Sequence, residues 1–367
     1  MKILAVDMGT GTQDILLFDS SGPVENSAKM VMPSATQIAA GRIRRATAAG
    51  HGLLLTGVTQ GGGPCTWALE AHLRAGHAAW ATPEAAQTFD DDLEQVARMG
   101  IHVVSDDEAA ALRDVEHVVL RDLDLAAIRA ALAAFDVAPE FDGVAVACLD
   151  HGASPPGYSD RLFRFDHLKR VVGERNDLRA FACLPEELPA YLTRARAMAA
   201  SAREQEPSAP VVFLDTGPAA ALGALQDPRV AEAGRRLVLN LGNMHALAFH
   251  LEGTRIISLY EHHTGELSRE QIEDFSERLV AGTLAHEEVF GTKGHGAFYA
   301  EPGAAGVGAD IVAVTGPQRG RIRDSRLRPY FAAPHGDMMI SGCFGLLVAF
   351  AEKQPDARDE IEAALAG

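Results

Sequence analysis

Two segments of this 367-residue chain repeat one pattern at an offset of 233 positions. ILAVDMGTGTQDILLFDSSG and LVLNLGNMHALAFHLEGT each read as an apolar strand, a glycine turn and a second apolar strand. The matched positions are Asp7 with Asn240, Gly9 with Gly242, Thr10 with Asn243, Thr12 with His245, Phe18 with Leu251 and Asp19 with Glu252. Two such hairpins at equivalent places indicate duplicated domains that face one cleft.

The first hairpin carries an acidic residue, Asp7, just before its glycine and threonine turn. Gly9 and Gly11 predict a tight turn between the two strands. Free backbone amides and hydroxyls beside a carboxylate are the chemistry that holds a phosphate together with its metal. An ordinary structural turn is the alternative, and the recurrence of the hairpin in the second half favours the functional interpretation.

Length and charge limit the class of protein. A chain of 367 residues exceeds the size at which one core keeps growing, so we expect two domains. A formal net charge of −17 argues against a nucleic-acid partner and against an anionic membrane surface, because both would repel the chain. No apolar run approaches the roughly 18 residues of a membrane span, and no signal peptide fits before Asp7, so we expect a cytoplasmic protein.

The cysteines are scattered, since neighbouring ones are 83, 35 and 160 residues apart. This spacing encodes neither a disulfide framework nor a zinc ribbon, and buried thiols are expected. Cys65 lies in TQGGGPCTWALEAH, near the predicted start of a helix. An amino-terminal position in a helix can lower the pKa of a thiol. A packed and inert thiol is the alternative.

The organisation of the chain supports two units. In FDGVAVACLDHG, residues 144–149 read as a buried strand that ends at Asp150 and His151. The polar segment SAREQEPSAP, with its two prolines, indicates a boundary near residue 207. We therefore expect a first domain over residues 1–206 and a second over residues 207–367, with the oligomeric state left open.

Two segments of the second half are rich in histidine. EHHTGELSREQIEDF contains Glu261, His262 and His263, and GTKGHGAF contains His295 between glycines. Imidazoles and a carboxylate could bind Zn2+ or Fe2+. Adjacent residues on a strand point to opposite faces, so at most one of His262 and His263 would join a given site. Substrate-contacting or structural histidines are the alternative.

Five segments, taken in order, resemble the superfamily of actin, the seventy-kilodalton heat-shock chaperones and the sugar kinases. DMGTGTQD and LNLGNMHALAF resemble its phosphate hairpins, DTGPAAALGAL and GDMMISGCFGLLVAF its connecting helices, and IVAVTGPQRGRI its adenosine-side strand and turn. The resemblance implies an α/β fold: duplicated actin-like (ribonuclease H-like) ATPase domains with mixed central sheets and an interdomain cleft. It also implies ATP and Mg2+ as cofactors.

Within that superfamily, DMGTGTQD, DTGPAAALGAL, EHHTG and GHG are similar to an uncharacterised family that carries a pyruvate formate-lyase activating enzyme label. A radical S-adenosylmethionine activase needs three closely spaced cysteines to ligate its iron–sulfur cluster. The wide cysteine spacing of this chain excludes that chemistry at the level of local motif.

The resemblance implies that Asp7 orients Mg2+ through water. It implies that both hairpins present amides and side chains to the phosphates, through Gly9, Thr10, Gly11, Thr12 and Gln13 and through Gly242, Asn243 and His245. Gly316 would pack against adenine or ribose, although Pro317 replaces the usual second glycine of that motif.

The second hairpin carries Asn240 where actin and the chaperones carry an aspartate, so a second metal-orienting charge is missing there. Asp215 is the candidate replacement, because it ends VVFLD just before the connecting helix. Asp150 and His151 end a strand that runs beside the phosphates in the superfamily, so either could orient or deprotonate an attacking oxygen. Structural roles at a strand end are the alternative for both.

These residues support an ATP- and Mg2+-binding kinase or ATPase that acts on an unknown small molecule or protein. A nucleotide-sensing regulatory or scaffold protein without efficient turnover is the alternative, motivated by Asn240 and Pro317. A metal-dependent enzyme that uses the histidine segments is a third hypothesis.

Overall fold

The structure is a computed structural model that describes residues 1–301, 303 and 306–366. Its strands belong to three sheets. They are β1 (Lys2–Met8), β2 (Thr12–Asp19), β3 (Ala28–Pro33), β4 (Gly52–Gly57), β5 (Ala79–Ala81), β6 (Ile101–Val103), β7 (Val115–Leu120), β8 (Gly143–Cys148), β9 (Val211–Asp215), β10 (Arg235–Leu241), β11 (His245–Glu252), β12 (Arg255–His263), β13 (Gly296–Tyr299), β14 (Ile311–Thr315) and β15 (Tyr330–Phe331).

Helices connect and cover these sheets. They are α1 (Ala35–Ala49), α2 (Pro64–Arg74), α3 (Pro83–Ala86), α4 (Leu93–Arg98), α5 (Asp106–Ala111), α6 (Leu125–Ala133), α7 (Asp160–Glu174), α8 (Thr193–Gln205), α9 (Thr216–Ala224), α10 (Pro228–Ala231), α11 (Arg269–Ala281), α12 (His286–Gly291), α13 (Ser341–Lys353) and α14 (Pro355–Ala366). Among the helices described here, none has both the length and the apolar character that a bilayer crossing requires.

The first sheet has the strand order β3-β2-β1-β8-β9. β1 pairs antiparallel with β2 and parallel with β8, and β9 continues the parallel side. Central strands are buried on both faces, which is why β1 and β8 are continuous apolar runs rather than alternating ones.

The second sheet repeats this arrangement, with the order β13-β12-β11-β10-β14-β15. β10 pairs antiparallel with β11 and parallel with β14, and β13 adds an edge strand beside β12. The bounds of β10 and β11 lie 233 positions after those of β1 and β2. The predicted duplicated actin-like fold with mixed sheets is therefore confirmed.

A third sheet lies in a segment inserted between β3 and β8. Its order is β6-β5-β4-β7, and all of its strands are parallel. It has its own apolar core, built on Leu53, Leu55, Leu69, Val118 and their neighbours. The sequence indicates the alternation of helices and strands here, but the separate sheet was not expected.

The pairing of β9 differs from what the expected domain boundary implies. The boundary near residue 207 would place β9 in the second domain, whereas β9 pairs with β8 as an edge strand of the first sheet. The polar segment before β9 is a surface connection at the end of α8, which resembles a linker in composition. We propose that the two duplicated units divide after Asp215.

Helices α9 and α13 join the two halves. α13 packs on β1, β8 and β9 of the first sheet, α9 packs on β10 and β14 of the second, and the two helices pack on each other. Glycines permit this close approach, because an added Cβ at Gly223 would overlap the carbonyl of Ser341, and one at Gly345 would overlap the carbonyl of Ala219. This crossing places the start of α13 beside the first hairpin.

Candidate functional site

The turns of the two repeated hairpins meet on opposite sides of one cleft. Each turn is closed by the same hydrogen bond, from Gly9 N to Thr12 O at 2.9 Å and from Gly242 N to His245 O at 3.0 Å. The tips touch, because an added Cβ at Gly11 would overlap the side-chain amide of Asn243. The predicted facing of the two hairpins is thus observed.

This cleft, here called the hairpin cleft, is narrow. It has a volume of about 80 Å3, whereas pockets for small organic ligands commonly measure about 300–1,000 Å3. Its walls include residues from both hairpins and from the starts of α9 and α13: Asp7, Gly9, Thr10, Thr12, Asp14, Thr216, Asn240, Gly242, Asn243, Gly316, Ser341 and Gly342. In this conformation the cleft has room for a group the size of a phosphate and is too small for a whole nucleotide.

Two carboxylates face each other in the hairpin cleft. Asp7 and Asp14 are register partners across β1 and β2, and the Thr216 hydroxyl donates a hydrogen bond to Asp7 Oδ1 at 2.8 Å. Burial and the nearby Asp14 carboxylate raise the pKa of Asp7 to about 8. Burial raises the pKa of Asp14 to about 7.

Asp14 has an oxygen available for a ligand. Its Oδ1 is buried and has no hydrogen-bond partner among the described residues. An unpaired buried carboxylate oxygen is costly, and a hard divalent cation offsets that cost. The Asp7 and Asp14 pair therefore fits the Mg2+ that the fold implies. Asp14 was not among the site residues predicted from the sequence, although its place opposite Asp7 follows from the hairpin register, because residues equidistant from the turn pair across the strands.

The start of α13 lies directly against Asp7. An added Cβ at Gly342 would overlap Asp7 Oδ2, so only glycine allows this approach. The amides of Ser341 and Cys343 already donate to Met338 O and Ile340 O, so it is the partial positive charge of the helix start that favours an anion at this place. This contact positions both the carboxylate and any phosphate beside it.

Gln13 does not join the hairpin cleft, which corrects its expected role. Alternate residues of β2 point to opposite faces, so Thr12 and Asp14 face the cleft and Gln13 faces away. Its side chain donates to Pro33 O at 2.9 Å.

On the second hairpin, Asn240 and Gly242 line the hairpin cleft. Gly316 has a φ of 93° and lies so close that an added Cβ would be 2.7 Å from Asn240 Oδ1. It therefore shapes the wall of the hairpin cleft through its contact with β10, and its expected contact with adenine or ribose stays a prediction.

Asp215, the candidate replacement for the second aspartate, is not among the residues that line the hairpin cleft. The fully buried Arg164 donates to both of its oxygens, with Nη2 at 3.0 Å from Oδ1, and also contacts Glu261 at 3.2 Å. Asp215 Oδ1 also accepts from Gly217 N at 3.0 Å. These contacts hold Asp215 in an ion-pair network and cap α9, away from the lining of the hairpin cleft.

Both carboxylate oxygens of Asp150 accept hydrogen bonds from backbone amides. Its Oδ1 accepts from Gly152 N at 2.8 Å, and its Oδ2 accepts from Ala195 N at 2.9 Å. Burial raises the pKa of this carboxyl group above its usual range. The arrangement favours the structural alternative for Asp150, which fixes the loop after β8 onto α8.

A second, larger cleft of about 350 Å3 adjoins the hairpin cleft. The two share Gly9 and Thr10, so the tip of the first hairpin separates them. The larger cleft lies between the inserted segment and the duplicated halves. Its polar lining includes Thr59, Gln60, Asp91, Asp150, His151, Arg194 and His245. We call it the histidine cleft.

Three imidazoles converge beside the histidine cleft. His151 Nε2 lies 3.1 Å from His245 Nε2 and 3.1 Å from His295 Nε2. Burial lowers the pKa of His151 to about 4 and also lowers the pKa values of His245 and His295. His245 was expected at the phosphates, but it lines the histidine cleft and is absent from the lining of the hairpin cleft.

The predicted metal ligands are only partly brought together. His295 joins the histidine group, and the ring of His263 lies 4.7 Å from the ring of His295. His262 points to the other face, where its Nε2 contacts the Thr292 hydroxyl at 3.1 Å. Glu261 is bound to Arg164. As expected from strand alternation, His262 and His263 point to different faces, and of the candidate ligands His295 is the one in the group of converging nitrogens.

Cys65 fits the alternative of a packed and inert thiol. It is fully buried, and burial raises the pKa of its thiol to about 12. All the cysteines are free thiols, and no group of cysteines suited to a metal occurs in the part of the chain that the structure describes.

The duplicated sheets and their facing hairpins define a protein of the actin-like ATPase and sugar-kinase fold class. The chain belongs to the family described as "Putative pyruvate format-lyase activating enzyme (DUF1786)", whose profile matches residues 60–321. A comparison with curated proteins finds no significant match.

Solved structures with low similarity include kinases and an ATPase-fold protein. One, described as a "putative N-acetylmannosamine kinase" from Listeria monocytogenes, is 10% identical with a TM-score of 0.37, covering 96% of this chain and 100% of its own. The ROK hexokinase of Thermus thermophilus is 12% identical with a TM-score of 0.25, covering 70% of this chain and 48% of its own. A Bacteroides thetaiotaomicron protein with an actin-like ATPase fold is 8% identical with a TM-score of 0.30. The match covers 86% of this chain and 82% of that protein. The fold assignment rests on the sheet topology rather than on these scores.

Proposed function

We propose that this protein binds ATP with Mg2+ in the hairpin cleft and transfers the terminal phosphoryl group to an acceptor in the histidine cleft or to water. The observation that carries the proposal is the pair of cleft carboxylates, Asp7 and Asp14, opposite the second hairpin. Bound Mg2+ would neutralise phosphate charge, as it does in other nucleotide enzymes.

The protein's own groups supply the binding of the phosphates. The turn after Asp7 and the turn around Gly242 line opposite walls of the hairpin cleft, and amides of such turns that are not used to close them can donate to phosphate oxygens. The start of α13 adds a partial positive charge at Gly342, next to Asp7. These groups support electrostatic stabilisation of a transferring phosphoryl group, which is the main contribution that such a protein makes.

The shared wall supports a direct transfer. Gly9 and Thr10 line both clefts, so a phosphate at the hairpin tip would be next to a ligand in the histidine cleft. The histidine cleft has the volume of a small-molecule pocket and a polar lining that includes Gln60, Asp91 and Arg194. A polar acceptor of small size fits this lining best.

Nucleotide entry requires the hairpins to move apart. The contact between Gly11 and Asn243 must open to admit a triphosphate into a cleft of about 80 Å3. Because α9 and α13 are the packed connection between the halves, we expect the motion to be a small rotation at their crossing. Closure after binding would exclude water from the phosphates.

A nucleotide sensor without efficient turnover is the second candidate. Asn240 supplies no charge on the second hairpin, and Asp215 is held by Arg164. These two observations leave the first hairpin as the source of both carboxylates in the hairpin cleft.

Calorimetry and phosphate release separate these candidates. Chelator-treated protein is titrated with ATP in the presence and absence of Mg2+, and phosphate release is then measured with and without polar acceptors. We expect Mg2+-dependent binding that Asp7→Asn weakens, while Asp19→Asn, at the far end of β2, binds like the wild type. Binding without phosphate release or transfer would favour the sensor. No binding at millimolar ATP would overturn both candidates.

A further inference from the structure

Three histidines from distant parts of the chain meet at one point. His151 follows β8 in the first half, His245 begins β11 in the second hairpin, and His295 precedes β13. His151 is separated by 94 residues from His245 and by 144 residues from His295. The fold therefore holds together side chains that no local motif links.

We propose that His151, His245 and His295 bind a divalent transition-metal ion, with Zn2+ as the ion that fits best. Their ligand nitrogens all lie within 4.8 Å of one another. A tetrahedral zinc with nitrogen ligands at about 2.0–2.1 Å separates those nitrogens by about 3.3 Å. The two observed Nε2 to Nε2 distances of 3.1 Å match this separation within a few tenths of an ångström.

Hydrogen bonding alone does not account for this cluster. His151 Nε2 contacts two other Nε2 atoms, and an imidazole nitrogen has either one hydrogen or one lone pair to offer. A linear hydrogen bond can therefore satisfy one of the two contacts. Three neutral imidazoles whose Nε2 lone pairs converge are the ligand set that Zn2+ and its neighbours in the first transition row prefer.

His295 is the most deeply buried of the three histidines. Its side chain is fully buried, and its Nδ1 has no hydrogen-bond partner among the residues described. A buried imidazole without partners costs free energy. A bond from Nε2 to a metal would not satisfy this Nδ1, so the case for His295 as a ligand rests on the 3.1 Å contact between its Nε2 and that of His151.

The site leaves a coordination position open to the histidine cleft. His151 and His245 line that cleft, and three protein ligands leave the fourth position of a tetrahedral zinc free. An oxygen donor, either water or a small oxygen-containing molecule, would take this position. The ring of His263 lies 4.7 Å from that of His295, but its nitrogens are not in the group that lies within 4.8 Å, so His263 borders the three ligands.

Metal content tests the proposal without any assay of activity. Protein without a histidine tag is produced in zinc-supplemented medium, and its metal is measured by elemental analysis. We expect about one equivalent of zinc per chain in the wild type and in His51→Ala, an exposed control. His295→Ala and His151→Ala should each lose most of it. Less than a tenth of an equivalent in the wild type, or wild-type content in both variants, would overturn the proposal.

Cobalt gives a readout that does not depend on whether the variants fold. Wild-type protein stripped with a chelator is titrated with Co2+, and we expect the intense visible absorption of a tetrahedral site, saturating at about one equivalent. Added Zn2+ should displace it and raise the melting temperature of the stripped protein. Absorption typical of six-coordinate cobalt, or no change in melting temperature, would contradict the proposed site.

Discussion

Asp7 and Asp14 are direct partners across the β1–β2 hairpin, and both carboxylates face the same narrow cleft. Each has a raised pKa, because burial disfavours its charged form. In the equivalent hairpin, Asn240 and Leu247 occupy the paired positions. Both acidic groups of the hairpin cleft therefore come from one half of the protein, and the second half contributes an amide and backbone groups.

Asp14→Asn tests whether this second carboxylate binds the metal. The substitution keeps the shape and removes the charge, so we expect the Mg2+-dependent affinity for ATP to fall about tenfold, which is roughly 1.4 kcal/mol. Calorimetric titration with ATP and Mg2+ measures the effect. An affinity equal to that of the wild type, while Asp7→Asn is impaired, would limit the metal site to Asp7.

Gly342→Ala tests the contact between α13 and Asp7. An added methyl group would overlap Asp7 Oδ2, so we expect a loss of about 1–3 kcal/mol in the free energy of unfolding. Gly41→Ala is the matched control in α1, where the nearest atom to an added Cβ is Arg45 Nη1 at 3.7 Å. That control should stabilise the protein by up to about 1 kcal/mol, because alanine favours helix. Chemical denaturation compares the two, and equal effects would contradict the proposed overlap.

Local sequence was sufficient to predict the hairpins. Their strands are apolar, their turns hold glycine, and the bounds of β10 and β11 repeat those of β1 and β2 at the offset read from the sequence. The residues of β2 that face the hairpin cleft follow from strand alternation, so the assignment of Gln13 to that face could have been avoided. The partnership of Asp7 with Asp14 could likewise have been derived from the hairpin register.

Features that depend on long-range packing were not predictable in this way. The sequence of helices and strands before β8 does not determine which strands pair. The separate sheet formed by β4, β5, β6 and β7 was therefore not predicted. Composition suggested a boundary before β9, but pairing with β8 decides where that strand belongs. His151, His245 and His295 come together only when both halves are folded. The pairing of Arg164 with Asp215 also joins distant parts of the chain, and no local sequence pattern indicates it.

His167 should make the protein less stable in mild acid. Burial and the nearby Arg164 lower the pKa of this imidazole to about 4, and its Nδ1 lies 3.0 Å from the Tyr191 hydroxyl and 3.1 Å from Arg170 Nη2. Asp215 is the acidic group that partly opposes this shift. Between pH 6.5 and 4 the unfolded chain binds a proton that the folded protein does not, so stability falls as the pH falls.

Replacing His167 with Gln removes this contribution. We expect the slope of unfolding free energy against pH between 6.5 and 4 to decrease, by at most about 1.4 kcal/mol per pH unit. Urea denaturation at several pH values measures the slope. His51→Gln, an exposed position, is the control and should leave it unchanged. An unchanged slope in His167→Gln would show that this imidazole is not held neutral.

Arg164→Met tests the buried network that connects α7 with the ends of β9 and β12. Arg164 is fully buried between Asp215 and Glu261, which are themselves buried. Removing the guanidinium group leaves two carboxylates without their counter-charge, so we expect a loss of about 3–5 kcal/mol in the free energy of unfolding. Arg203→Met breaks a solvent-exposed pair with Glu186 and should change stability by less than about 0.5 kcal/mol.

A triple variant separates the loss of the ion pairs from the loss of packing. When Asp215→Asn and Glu261→Gln accompany Arg164→Met, no buried charge is left unpaired, and we expect most of the stability to return. Denaturation of the single and triple variants at neutral pH supplies the comparison. If the triple variant is no more stable than Arg164→Met, the contribution of Arg164 is packing and hydrogen bonding rather than charge. Recovery would show that Arg164 stabilises the protein mainly through charge pairing with Asp215 and Glu261.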